Sequence, residues 1–302
     1  MSGAVNQEKA EAQTQTSIAE RESRTVPARR GAGSRHAPHA GWAGAREALH
    51  AEWTKLRTLP GTFWLLLGIA VLTVAVSAAA TAAVTCADAH CGQDPAKVGL
   101  TGIEFGQAVV AVLAVLAMCG EYSTGMIRVT FAAMPHRTTV LAAKAALVSA
   151  LTALAGTVAV LASLLIARLV MPGKGFTAAH GYPPLSLGDT SILRAAFGSV
   201  LYLALIALLS LGIAALVHDS AAAIGLVLGL LYLSPIIAQA VGDRHWHDRI
   251  ERYSPMNAGL AVQATRNLGS QFIGPWEGLG VLALWAAAAL LAGGLFLRLR
   301  DA

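Results

Sequence analysis

Four clusters in this 302-residue sequence carry residue types and spacings that could do chemistry. Asp243, His245, His247 and Asp248 are donors of the kind that hold a metal. Their i, i+2 spacing suits a strand or loop, yet the surrounding charges read as an amphipathic helix, so a solvated helix face is the better expectation. Gly173-Lys174-Gly175 is the nearest approach to a phosphate-cradling loop, and it lacks the hydroxyl that would hold magnesium. Cys86 and Cys91 lie in a polar loop with four residues between them. They form a small disulfide if that loop meets an oxidising compartment, and otherwise are two free thiols. The fourth cluster is Glu121, Tyr122, Thr124, Gly125, Arg128, Pro135 and Arg137, with Lys144 beyond. It is charged and polar but lies between two long apolar runs. Ile127, Phe131 and Met134 fall at helical spacing within it, as do Tyr122, Met126 and Thr130, which predicts a short amphipathic helix ended by Pro135. The alternative is a solvated connector.

No His-Glu-x-x-His and no Gly-x-Ser-x-Gly occurs. With no nucleotide-binding motif either, the chain is expected to be no enzyme, to hydrolyse no ATP and to bind no cofactor or metal. Cys119 lies inside an apolar run, where packing is its expected role.

The elements that must position these clusters follow from composition. Hydrophobic residues make up 55% of the chain and charged residues 13%, against about 25% in an ordinary soluble domain. The apolar residues are bunched into six runs, at about 62–84, 102–120, 145–167, 195–217, 220–242 and 278–297. A helix needs about 20 residues to cross the hydrocarbon core. The expected fold is therefore an all-α integral membrane protein with six transmembrane helices. Lys144 flanks the third run, and no charge falls in the middle of any run. This argues against an ion-coupled carrier, because a central charge is what marks an ion path.

Residues 1–41 are rich in Ala, Arg, Ser, Gln and Glu and read as a disordered tail, while 42–302 form the six-span domain. No cleavable leader is visible in the first sixty-one residues. Just before the first run, Trp42, Ala45, Leu49, Trp53 and Leu56 recur three or four apart, which predicts an amphipathic in-plane helix leaning on the membrane through that stripe. Six spans put both termini on one side. That side gathers fourteen Lys and Arg against eight on the other, so it is expected to be cytoplasmic. The basic balance of +5 then faces anionic lipid rather than nucleic acid. The loop over 243–277 carries Trp246, Tyr253 and Trp276 and is expected to fold against the outer membrane surface. Gly225 and Gly229 make a small-x-x-x-small pair in the fifth run, and Ser234-Pro235 interrupts the same helix. Together they predict a kinked packing seam, either within the chain or between subunits.

Three strings carry a resemblance. They are Glu52-Trp53-Thr54-Lys55-Leu56-Arg57 before the first span, Glu121-Tyr122-Ser123-Thr124-Gly125-Met126-Ile127 with Pro135, Arg137 and Lys144 after the second, and Tyr253-Ser254-Pro255-Met256-Asn257-Ala258-Gly259 before the sixth. In this order on a six-span frame, the chain from about residue 45 onward resembles a type-2 ATP-binding-cassette (ABC) transporter permease, the membrane subunit of a bacterial exporter. One departure is Met126, where a small polar residue is expected. The resemblance implies a second permease copy as homodimer partner and separate cytoplasmic ATPase subunits that use ATP. It also implies that Glu121 to Arg137 is a cytoplasmic coupling helix on which those ATPases push, with the helix at 42–57 beside it. The implied location is the cytoplasmic membrane, with an amphipathic or apolar substrate such as a drug, peptide antibiotic or lipid. A membrane scaffold or immunity protein of the same fold is the alternative.

Overall fold

A computed structural model describes residues 40–86, 91–123 and 137–299, and every regular element among them is a helix. Helix α1 (Ala40–Thr58) ends at Leu59, and α2 (Pro60–Ala83) begins on Pro60. Proline there has φ already set for a helix, and the N–H it lacks would have had no partner. A short α3 (Pro95–Gly99) precedes α4 (Ile103–Ser123). Helices α5 (Arg137–Val170), α6 (Thr190–Val217) and α7 (Ser220–Ala240) follow. After α8 (Arg244–Tyr253) and α9 (Pro255–Leu260), α10 (Pro275–Leu299) completes the described chain. Six of these, α2, α4, α5, α6, α7 and α10, are long and apolar enough to cross a membrane, so the chain is a multi-pass membrane protein.

The bundle is built around α6, whose Tyr202, Leu203, Ile206, Ala207, Leu209 and Leu211 are fully buried. Helices α4, α5 and α10 pack on it, α7 lies against α6 and α4, and α2 closes against α5 and α4. Helix α2 is arranged inside out relative to a soluble helix. Its buried residues are Thr62, Ile69, Thr73, Ser77 and Thr81, while Phe63, Trp64, Leu67, Val71 and Leu72 are exposed. Lipid is as apolar as leucine, so nothing drives the large side chains inward. The small hydroxyl stripe instead lets backbones approach, and Ser77 and Thr81 pair their hydroxyls. Ser77 Oγ accepts from the Gly102 N–H at 3.0 Å, and Thr81 Oγ1 donates to the Ser77 carbonyl at 2.7 Å.

Three features differ from the sequence expectation. Helix α5 has 34 residues, about 51 Å at 1.5 Å per residue, which exceeds a bilayer's full thickness of about 40–45 Å. Lys144 therefore lies inside this helix, two turns from its start, and not in front of it. The seam expected within the chain at Gly225 and Gly229 is absent: a Cβ at either position would meet nothing within 4 Å. Nor does Pro235 interrupt α7, which continues to Ala240. The Leu231 carbonyl, which loses the N–H of residue 235 as its donor, accepts the Ser234 hydroxyl at 3.2 Å instead. One close helix crossing lies between α6 and α10. A Cβ at Gly212 would stand 2.6 Å from the backbone of Ala289 and Leu290, and one at Gly293 would stand 2.8 Å from the Gly212 carbonyl.

Third, the loop over 243–277 does not lie wholly on the surface. Trp246, Tyr253 and Trp276 are exposed, as membrane-interface aromatics are, but residues 254–256 and 258–264 are buried in the bundle. Aspartates start four helices: Asp94, Asp189, Asp219 and Asp243 each accept from backbone N–H groups of the first turn of α3, α6, α7 and α8. The Ser191 backbone N–H, and then its hydroxyl, hold the Asp189 carboxyl below its ordinary value.

Gly212→Val should force α6 and α10 apart and lower the thermal unfolding midpoint, an overpacking penalty of about 1–3 kcal/mol. Gly225→Val should leave the midpoint of the isolated chain nearly unchanged. Because the folded pKa of Asp189 is depressed, its stabilising share is present above the unfolded carboxylate pKa. It is lost as pH falls through the lower folded value. Acid titration of the melting midpoint should accordingly fall more steeply in the parent than in Asp189→Asn.

Candidate functional site

The bundle has two polar ends, and contacts distant in sequence sort the loops between them. At one end α1 is tied to α5 by a carboxylate between two ammonium groups. Glu52 Oε2 accepts from Lys144 Nζ at 2.6 Å, and Glu52 Oε1 accepts from Lys55 Nζ at 2.8 Å. Glu52 and Lys144 are 2% and 4% exposed, whereas the Lys55 side chain still reaches solvent at 27%. A buried lysine is costly unless paired and hydrogen-bonded, and the shared carboxylate supplies both. The same end holds the start of α5 and the end of α10, where Arg298 approaches the Thr138 hydroxyl at 3.5 Å.

The face of α1 that docks shares Leu56 with the stripe expected to lean on the membrane. Ala48, Glu52 and Leu56 are buried, while Leu49 and Trp53 are exposed. These sets are one residue apart on the wheel, so α1 turns one flank to the protein and leaves Leu49 and Trp53 on another. The sequence signal for the docking face was the i, i+4 spacing of Ala48, Glu52 and Leu56, hidden because its centre is a charge.

At the opposite end three loops are knitted into a cap. Cys86 and Cys91 are disulfide-bonded, and the Cys86 N–H donates to the Lys174 carbonyl at 2.8 Å. Gly175 adopts φ 91°, and its missing side chain lets the Cys86 carbonyl approach. Cys86, Met171, Phe176 and Tyr182 form a small apolar cluster beneath. Asp94 caps α3 and also crosses 171 residues of sequence: its carboxylate accepts the Thr265 hydroxyl at 2.7 Å, together with the backbone N–H groups of Thr265 and Arg266. The Arg266 guanidinium lies 4.3 Å over the Tyr182 ring, and Arg194 donates to the Ala264 carbonyl at 2.6 Å.

Between the ends runs a thin polar seam. The Tyr202 hydroxyl donates to Gln107 Oε1, and the Tyr232 hydroxyl donates to the Glu104 carbonyl, joining α4 to α6 and α7. No acid, base and nucleophile converge there, and Cys119 is buried in the apolar core. Among the described residues no group of three or more His, Cys, Asp and Glu is placed to hold a metal. His247 Nδ1 lies 2.8 Å from the Ala238 carbonyl, so its ring contacts the end of α7.

The expected coupling residues Thr124, Gly125, Arg128 and Pro135, and the side chains of Glu121, Tyr122 and Arg137, lie outside the described residues. What the structure does place is both flanks of that segment. Helix α4 leads into it, and α5, which carries Lys144, follows it. No protein-family model and no curated protein matches the chain.

Glu52→Ala should remove the buried carboxylate shared by Lys144 and Lys55 and lower stability by about 3–5 kcal/mol. Lys144→Met should cost less, because Glu52 keeps Lys55. The pair Glu52→Leu with Lys144→Met should recover most of the loss, as read by thermal unfolding in detergent.

Proposed function

We propose that this chain is the membrane-spanning permease subunit of an ATP-driven ABC exporter. It works as a homodimer with separate cytoplasmic ATPase subunits and moves an amphipathic or apolar substrate across the cytoplasmic membrane. The observation that carries this reading is the Glu52 to Lys144 pair, 2.6 Å long and buried. It joins α1 to the helix that emerges directly from the segment 124–136. A push on that segment is then delivered to α1 and α5 together rather than to a loose loop. ATP would be used by the partner, since this sequence carries no phosphate-cradling motif.

The disulfide supports the orientation. Disulfides persist in oxidising compartments, and Cys86–Cys91 sits at the end away from Glu52 and Lys144, which supports reading that end as the outer one and the joint as cytoplasmic. The basic excess on the joint side agrees with this. The spans offer a mainly apolar interior, which suits a substrate recognised by its apolar surface. The open face at Gly225 and Gly229 is where a second copy could approach.

Affinity purification of the full chain from its native membrane should recover a soluble P-loop ATPase whose turnover depends on the permease. Glu121→Ala and Arg137→Glu should each reduce that dependent turnover by about tenfold or more, equivalent to about 1.4 kcal/mol. No co-purifying ATPase, or unchanged turnover in both variants, contradicts the reading.

A further inference from the structure

An apolar groove of about 640 Å³ opens between the first turns of α5 and the last turns of α10. Its walls include Leu141, Ala145, Leu291 and Gly294, and its mouth carries Thr138 and Arg298. The volume falls in the range of small-molecule sites, about 300–1,000 Å³. The small residues Ala145 and Gly294 make the concavity, since larger side chains there would fill it. From Leu290 to Arg298 the groove runs about 12 Å along α10, inside the roughly 15 Å depth of one leaflet's hydrocarbon.

The charge pattern names the occupant. The groove is apolar throughout its length except at the membrane edge, where Arg298 is its one ionisable lining residue. Arg298 is exposed and forms no ion pair among the described residues. Its long contact with the Thr138 hydroxyl leaves guanidinium donors to spare. An apolar slot topped by a planar cation and a hydroxyl complements one acyl chain topped by a phosphate-bearing anionic head. We propose that this groove is a binding site for one anionic phospholipid, with an acyl chain between α5 and α10 and the headgroup on Arg298 and Thr138. The ligand would bridge the helix that carries Lys144 to the C-terminal helix. The site stands on its own geometry and does not depend on the transport reading.

The test is native mass spectrometry of the full-length chain released from vesicles of equal phosphatidylcholine and phosphatidylglycerol. The parent should retain one phosphatidylglycerol in preference to phosphatidylcholine. Arg298→Gln should reduce that preference about fivefold, the worth of one basic residue at a lipid surface, and Arg298→Lys should keep most of it. Ala142→Phe, an exposed groove position, should lower retention of both lipids without moving the melting midpoint. Preference unchanged in Arg298→Gln, or retention unchanged in Ala142→Phe, overturns the proposal. So does efficient cross-linking between copies through Leu291→Cys, which would make this face a contact with a second chain.

Discussion

A carboxylate without water is the constraint on which the rest of this molecule turns. Glu52 sits at the packed face of α1, at the boundary between a membrane bundle and its surface helix, and it is held by one buried and one half-solvated lysine. Such a triad is weak evidence for stability, because taking the charges out of water offsets much of their attraction. It is strong on geometry. The short charge-assisted contact between Glu52 and Lys144 fixes the register of α1 on α5, and a sliding or rotated α1 would break it. An apolar contact of the same area would tolerate such a slip.

The two ends of the bundle are built by opposite means. At the joint end, two helices are held by one ionic cluster next to the segment 124–136. At the other end, a disulfide, the Asp94 staple, the stacking of Arg266 on Tyr182 and the Arg194 bond to Ala264 together tie three loops. This cap ties loops that range in sequence from Cys86 to Arg266. A body with more polar ties among its described residues at one end than at the other should respond to force by rocking about the more heavily tied end. This follows from where the ties are.

The six spans were legible in the sequence because hydrocarbon thickness dictates their length and excludes charge. The tight turn at His218 and Asp219 was legible for the same reason: two long apolar runs meet there with no room for a loop. The joint was not. Glu52 and Lys144 are 92 residues apart, and neither periodicity nor hydropathy says which cation a carboxylate will face. Lys144 even misled, since a charge at the edge of an apolar run reads as a boundary when it can instead be a paired residue inside a longer helix. The glycines show the same limit. Gly225 and Gly229 have the spacing of a packing motif and face open space, whereas Gly212 and Gly293, with no shared motif, make a close crossing. Spacing identifies a face that permits approach; the partner decides whether approach occurs. The re-entry of residues 254–264 was hidden because its surface aromatics dominate the pattern of that loop.

Under the proposed function, α1 and α5 move as one body when the proposed partner ATPase acts. Pulsed electron-spin distance measurement between labels at Arg46 on α1 and Ala146 on α5, both exposed, addresses it directly. The distance distribution should stay unchanged between nucleotide-free and ATP-trapped states, while a label pair from Ala146 to Leu226 on α7 shifts. An α1 to α5 distance that changes with nucleotide while the α5 to α7 distance holds still would contradict the account.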